Sequence, residues 1–203
     1  SSAASDVYKR QGIMTVETVK GTATLAKKVW YFIQSTSAPV GSSAVLPAMQ
    51  TEGGVSLEGD SIDEQTKFGR VVMPSTNSDS IELTTYVVPE DQAIEIITQA
   101  KHNGDQVKVW RVVVDKRYAT KTGTAPNQKQ VFPAMFGYAV VDSVSLDDGD
   151  KLITAKYKLN IIDKLKEGQF ELTDAEIATL DAVYEYENPG EKTGNFGEDA
   201  PTA

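Results

Sequence analysis

Apolar and polar residues alternate along much of the chain with the two-residue period of half-buried strands. In residues 81–88, Ile81, Leu83, Thr85 and Val87 share one side, and Glu82, Thr84, Tyr86 and Val88 the other. Residues 151–162 repeat the pattern, with Ile153, Ala155, Tyr157, Leu159 and Ile161 set against Thr154, Lys156, Lys158 and Asn160. Residues 106–115 carry apolar side chains on both sides, which predicts a central strand covered on two faces. The unbroken aromatic and β-branched run 29–33 predicts another buried strand. Shorter strands are expected at 44–50 and 55–58, separated by Gly53 and Gly54 at a hairpin or bulge, and at 68–73, with a turn over 74–78. Two long strands, 134–146 and 151–162, flank Asp147-Asp148-Gly149-Asp150, whose Asp-Gly step suits a tight hairpin.

The period becomes helical in two places. Over 89–103, Pro89, Glu90 and Asp91 suit a first turn, Ala93, Ile94, Ile97 and Ala100 form one stripe, and Gly104 is a natural stop. Thr173 and Glu176 have capping-box spacing for a short helix reaching 182. Residues 35–43, 59–67 and 116–133 lack either period and read as loops. The pattern defines a mainly β, α+β domain of antiparallel strands, arranged as a sandwich or barrel-like sheet with one flanking helix.

Length and charge narrow this. The 203 residues suffice for one core, expected over 14–187. Residues 1–13 read as a disordered or linker-derived leader ahead of Met14, residues 15–26 as an extended arm, and residues 188–203 as an acidic tail rich in Pro and Gly. A formal charge of −9 argues against a surface that grips phosphate backbones, while an acidic wall would let DNA slide past it. The absence of cysteine excludes disulfides and thiolate metal sites. No window approaches the ~18–20 apolar residues of a membrane-spanning helix.

Candidate chemistry is sparse. His102, the sole histidine, lies at the end of the predicted helix with no partner that marks a nucleophile or ligand, and its charge suits a helix C-terminus. Asp147, Asp148 and Asp150 lack the rest of a calcium loop and read as a turn. Asp60, Asp63 and Glu64 form an acidic cluster suited to a cation, to salt bridges across a subunit boundary or to plain solvation. Trp30 and Trp110 sit in apolar strands as packing residues. No phosphate loop, nucleophile elbow or zinc spacing is present, and no cofactor or metal is expected.

The strand Val29-Trp30-Tyr31-Phe32-Ile33, the segment Asp63-Glu64-Gln65-Thr66-Lys67-Phe68-Gly69-Arg70, the helix end at Asn103-Gly104, the strand Lys108-Val109-Trp110-Arg111-Val112 and a late hairpin closed by Leu165-Lys166-Glu167-Gly168 occur in an order that resembles the TP901-1/SPP1-like major tail tube proteins of long non-contractile-tailed bacteriophages. The resemblance covers about 27–168. It implies a structural protein of the virion, assembled in the host cytoplasm as hexameric rings stacked into a tube. Its partners would be itself, a tape measure protein and tail-end proteins, with DNA passing unbound through the lumen. It further implies an early loop at 59–67 and arms at 15–26 and in parts of 170–188 that reach neighbouring subunits, with Asp63, Glu64, Gln65, Thr66, Lys67, Phe68 and Arg70 as inter-subunit contacts. Glu82 and Thr84, on the wetter side of their strand, are the lumen candidates, on a wall expected to carry few fixed cations. The chain ends soon after the core, so the additional Ig-like domain of some family members is not expected. Two other readings remain: a tube protein of a contractile injection or type VI-like secretion system, and a carbohydrate-binding β-sandwich using exposed aromatics such as Tyr86 and Tyr138.

Overall fold

The structure, a computed structural model, describes residues 21–47, 50–124, 128–149, 151–181 and 188–190. The predicted leader, the arm before Gly21, Asp150 of the predicted turn and all but three residues of the predicted tail lie outside them. Along the described chain run β1 (Val29–Ser35), β2 (Gln50–Ser56), β3 (Gly59–Thr66), β4 (Gly69–Asn77), β5 (Ser80–Tyr86), α1 (Gln92–Asn103), β6 (Gln106–Val113), β7 (Thr120–Thr122), β8 (Lys129–Asp147), β9 (Thr154–Ile161), β10 (Lys166–Leu172) and α2 (Asp174–Asp181).

Eight strands form one curled antiparallel sheet, a half-barrel, in the order β1-β6-β8-β9-β5-β2, with β7 and β10 also joined to β8. Strand β8 runs nineteen residues and binds neighbours along both edges. Ala134–Phe136 pair with β6 and β10 at once, and Ala139 and Val140 with β6 and β9, so β6 lies on one edge and β9 and β10 on the other. The fold is thus the barrel-like alternative, one sheet curling on itself.

The two faces of the curl carry separate cores. On the concave face, Tyr31, Ile33, Leu83, Val109, Tyr157 and Leu159 pack with Ile97 and Ala100 of α1. Helix α1 begins where Asp91 accepts a hydrogen bond from the Ala93 N–H (3.0 Å) and stops at Gly104, whose φ of 74° is the left-handed cap that glycine adopts without strain. On the other face, at the β8–β10 end, Phe32, Val112 and Phe132 pack with Leu172 and with Ile177 and Leu180 of α2. The predicted capping box forms: the Glu176 N–H donates to Thr173 Oγ1 (3.3 Å) and the Thr173 N–H to Glu176 Oε2 (3.1 Å). Trp30 and Trp110 pack against this second core, as their strand positions imply.

Several expected boundaries move. The segment 59–67, expected as a loop, is strand β3 up to Thr66 with Lys67 in the turn that follows, and the turn expected at 74–78 lies mostly inside β4, with Ser78 and Asp79 making the turn. Of the strand expected over 44–50, Val45 makes a single bridge to Ile33 and Gln50 opens β2, while residues 48 and 49 lie outside the described residues. Gly53 and Gly54 lie within β2 instead of breaking it. The residues expected to close a late hairpin, Lys166 to Gly168, open β10, which pairs with β8 and not with β9. The long loop expected at 116–133 contains a 3-10 turn (Lys116–Tyr118), β7 and the start of β8.

At its two ends the sheet nearly closes. The outward backbone of Tyr31 in β1 is met by the side chain of Gln50: the Tyr31 N–H donates to Oε1 (3.1 Å) and Nε2 donates to the Tyr31 carbonyl (2.9 Å). An amide side chain here makes the two bonds that a neighbouring strand would make. Three residues on, the Tyr31 ring lies against Gly53 so closely that a Cβ there would overlap the ring edge. Because Tyr31 is buried, its ring has little room to withdraw. Gly53→Ala is therefore expected to lower the unfolding free energy by about 1–3 kcal/mol in urea titrations, and unchanged stability would contradict this close approach.

Candidate assembly surfaces

Strands β3 and β4 form a two-stranded hairpin that pairs with no other strand. It continues the β2–β5 ladder, since the Ser78 N–H donates to the Glu58 carbonyl (2.7 Å) at the junction, giving one ribbon with its distal half outside the sheet. Every residue of β3 is exposed. The tip is closed by Thr66, whose Oγ1 donates to the Gly69 carbonyl (2.8 Å) and accepts from the Phe68 N–H (3.1 Å), leaving the Phe68 ring fully exposed.

The hairpin gathers all seven predicted contact residues: Asp63, Glu64, Gln65 and Thr66 on β3, Lys67 and Phe68 at the tip, and Arg70 on β4. The register separates them by face. Asp63 opposes Val72 and Gln65 opposes Arg70 on one side, where Arg70 Nε and Nη2 donate to the two Asp63 oxygens at 2.8 and 2.6 Å. This bidentate pair lowers the Asp63 pKa and raises that of Arg70. Arg70 thus has a partner in its own hairpin, where the sequence suggested only one across a boundary. On the opposite side Ile62 faces Met73 and Glu64 faces Val71, and all three apolar side chains stand open, at 45%, 51% and 41% of full exposure for Ile62, Met73 and Val71. This apolar face is invisible in a segment read as a polar loop.

Glu82 and Thr84 lie, as expected, on the less buried side of β5. Pairing sets Lys158 opposite Glu82 and Lys156 opposite Thr84, with Glu52 on the far side of Thr84. Two lysines and two glutamates share this face, because the β9 alternation that buries Tyr157 and Leu159 turns Lys156 and Lys158 the other way. Tyr86 and Tyr138 are both partly exposed, and Tyr138 stacks edge-on with Phe136 (5.4 Å between centroids) beneath Lys108.

Between β1 and β2, past the Gln50 contact, the half-barrel opens into a cleft of about 1030 Å³. Its floor is the continuation of the concave face, with Val29 beside Val113 and the row Tyr31, Arg111, Met135. Burial raises the Tyr31 hydroxyl pKa, and the neighbouring Arg111 opposes that rise. At the rim, residues 22–24 are held in place. Arg117 donates to the carbonyls of Thr22 (2.9 Å) and Ala23 (3.4 Å) while gripping Asp115, and Thr24 Oγ1 shares a hydrogen bond with the Tyr118 hydroxyl (3.1 Å). The side-chain hydrogen bonds from Arg117, reinforced by its backbone N–H, hold the Asp115 carboxyl down at about 2.

A curled sheet with an unpartnered ribbon, an unfilled cleft and open strand edges is a building block whose surfaces call for further chains. Known proteins agree. The structure resembles the SPP1 tail tube determined by solid-state NMR and cryo-EM, at 28% identity and a TM-score of 0.60, covering 85% of this chain and 96% of that one. It shares its fold with the tail of an empty gene transfer agent particle, at 12% identity and a TM-score of 0.53, covering 71% of this chain and 98% of that one. In sequence it is 34% identical over 175 residues to the tail tube protein of Bacillus phage SPP1, covering 85% of this chain; it spans 62% of that relative's length. The chain belongs to the phage tail tube protein family, whose model matches residues 23–161.

The Asp115–Arg117 clamp yields a pH prediction. Asp115 titrates at about 2 when folded and near ~3.9 when unfolded, so its stabilising contribution is present above the unfolded value and is lost as pH falls from about 4 to 2. Cleavage by an acid-active protease near residues 21–25 should increase across that window in the parent chain. In Asp115→Asn it should already be high at pH 5, and identical profiles would exclude the clamp.

Proposed function

We propose that this chain is the major tail tube protein of a long-tailed bacteriophage, a structural subunit without catalytic activity. Copies assemble into hexameric rings that stack into the virion tail tube through which DNA is delivered. Family membership carries this reading, and the architecture supports it. An isolated two-stranded hairpin is at best marginally stable in water, so a ribbon exposing Ile62, Val71, Met73 and Phe68 is suited to a surface on another copy. The hairpin residues Asp63 to Phe68 and Arg70 are the proposed inter-subunit contacts. The face carrying Glu82 and Thr84 is the proposed lumen wall, its Glu and Lys residues offering no net cationic surface to hold DNA. A tape measure protein and tail-end proteins are the further partners proposed, with assembly in the host cytoplasm. The phage tail reading is favoured over the injection-system and carbohydrate-binding readings by the match to the phage family.

Purified protein is expected to form rings or tubes in negative-stain electron micrographs without any cofactor; monomers at every concentration, even with tail-initiation proteins present, would overturn the assignment. Replacing residues 61–66 with a Gly-Ser linker should leave the circular dichroism spectrum and thermal melt nearly unchanged, because β3 contributes nothing to either core. Sedimentation of that variant should show only monomer. For the lumen, Glu82→Lys places a third cation beside Lys156 and Lys158. Such particles should assemble normally yet deliver DNA more slowly in an infection assay, and a structure with Glu82 on the tube exterior would refute the assignment.

A further inference from the structure

The hairpin and the cleft are complementary in a way that neither explains alone. One face of the hairpin carries Glu64, set between Ile62 and Met73 on one side and the tip on the other, with Val71 opposite it and Asp60 further along the same side of β3. The cleft carries Arg111 on its floor, flanked across the strands by Tyr31 and Met135 with Val29 and Val113 beyond, and Lys27 and Glu52 also line it. Among the described residues Glu64 and Arg111 have no ion-pair partner, whereas Arg70, Arg117 and Lys129 each have one; Arg111 has a side-chain hydrogen bond only with Tyr31, a neutral partner. A half-buried guanidinium in an apolar floor gains most from a carboxylate that arrives with its own apolar surround, because both charges are then shielded from water together.

We infer that the β3–β4 hairpin of one copy seats its Ile62, Val71 and Met73 face in the β1–β2 cleft of a second copy, with Arg111 donating to the Glu64 carboxylate. The donor must be a different copy. Each hairpin continues β2, which is a wall of its own cleft, and the Ser78–Glu58 hydrogen bond carries the ladder past the junction, so the ribbon leads out of the sheet and pairs with no other strand among the described residues. Donor and acceptor are separate patches, so each copy offers one of each and the contact propagates from subunit to subunit, as a tube requires. This rests on the tube reading and gives its hairpin contact a receiving surface.

The test is a charge exchange. Glu64→Lys and Arg111→Glu should each raise the concentration needed for tube formation by about tenfold or more, and the double exchange should bring it back close to the parent value. Circular dichroism identifies any loss of fold in Arg111→Glu, and Glu64→Lys on the free hairpin is independent of that risk. Because the chain has no cysteine, a variant carrying Val71→Cys and Met135→Cys should form inter-chain disulfide ladders upon mild oxidation of assembled material. Normal tubes from both single variants, failure of the double exchange to rescue, or no ladder would overturn the docking while leaving the tube reading intact. A parent chain that never assembles would remove both.

Discussion

The architecture depends on the backbone hydrogen bonding of β8. A strand of nineteen residues cannot leave its amide and carbonyl groups unpaired inside a protein, and here four other strands meet that demand along its two edges. Because β6 and β9 attach at overlapping but staggered positions, the sheet is sheared and curls instead of lying flat. The curl creates a concave face deep enough to bury Tyr31, Val109 and Tyr157 beneath α1, and it leaves the terminal strands β1 and β2 facing one another across a gap. The Gln50 bridge and the cleft are both consequences of a sheet that bends without closing.

This division separates what folds the chain from what it presents. The cores draw on β1, β5, β6, β8, β9 and β10, with Tyr31 of the cleft floor among them, while the hairpin and the Glu82–Lys158 face contribute little to them. Substitutions on those surfaces are thereby freed from the packing constraint that governs the interior, which lets assembly properties change while the fold is retained.

Elements with a local cause were legible in the sequence. The alternation in β5, β6 and β9 assigns their faces correctly, and Gly104, Thr173 and Glu176 mark helix ends that the structure bears out, whereas the first helix begins at Gln92 behind an Asp91 cap and not at residue 89. What could not be read depends on partners distant in the chain. Strand β3 has no apolar period because neither of its faces meets the domain, and it is a strand only because β4 lies beside it. Pro74 suggests a turn, yet it is accommodated in an edge strand next to an irregularity in the pairing. Gly53 looks like a break until the Tyr31 ring is placed upon it. Of the candidate site, the residues at the hairpin tip were identifiable by family resemblance. The division of that hairpin into a salt-bridged face and an apolar face requires the register, and the Asp115–Arg117 clamp requires knowing that residues 22 and 23 pass beside it.

The free hairpin also bears on how such a polymer would begin. Ordering its backbone costs on the order of 1 kcal/mol per residue, and an isolated ribbon of this kind recovers little of that from its own pairing. In the proposed assembly, the first few copies to meet would bear this entropic loss with most of their contacts unmade, whereas a copy arriving at a formed end would find a surface already rigid. Growth would then be limited by nucleation: free subunits would persist in solution above the concentration at which an existing end extends, and where tubes start would be decided by whatever supplies the first ordered template.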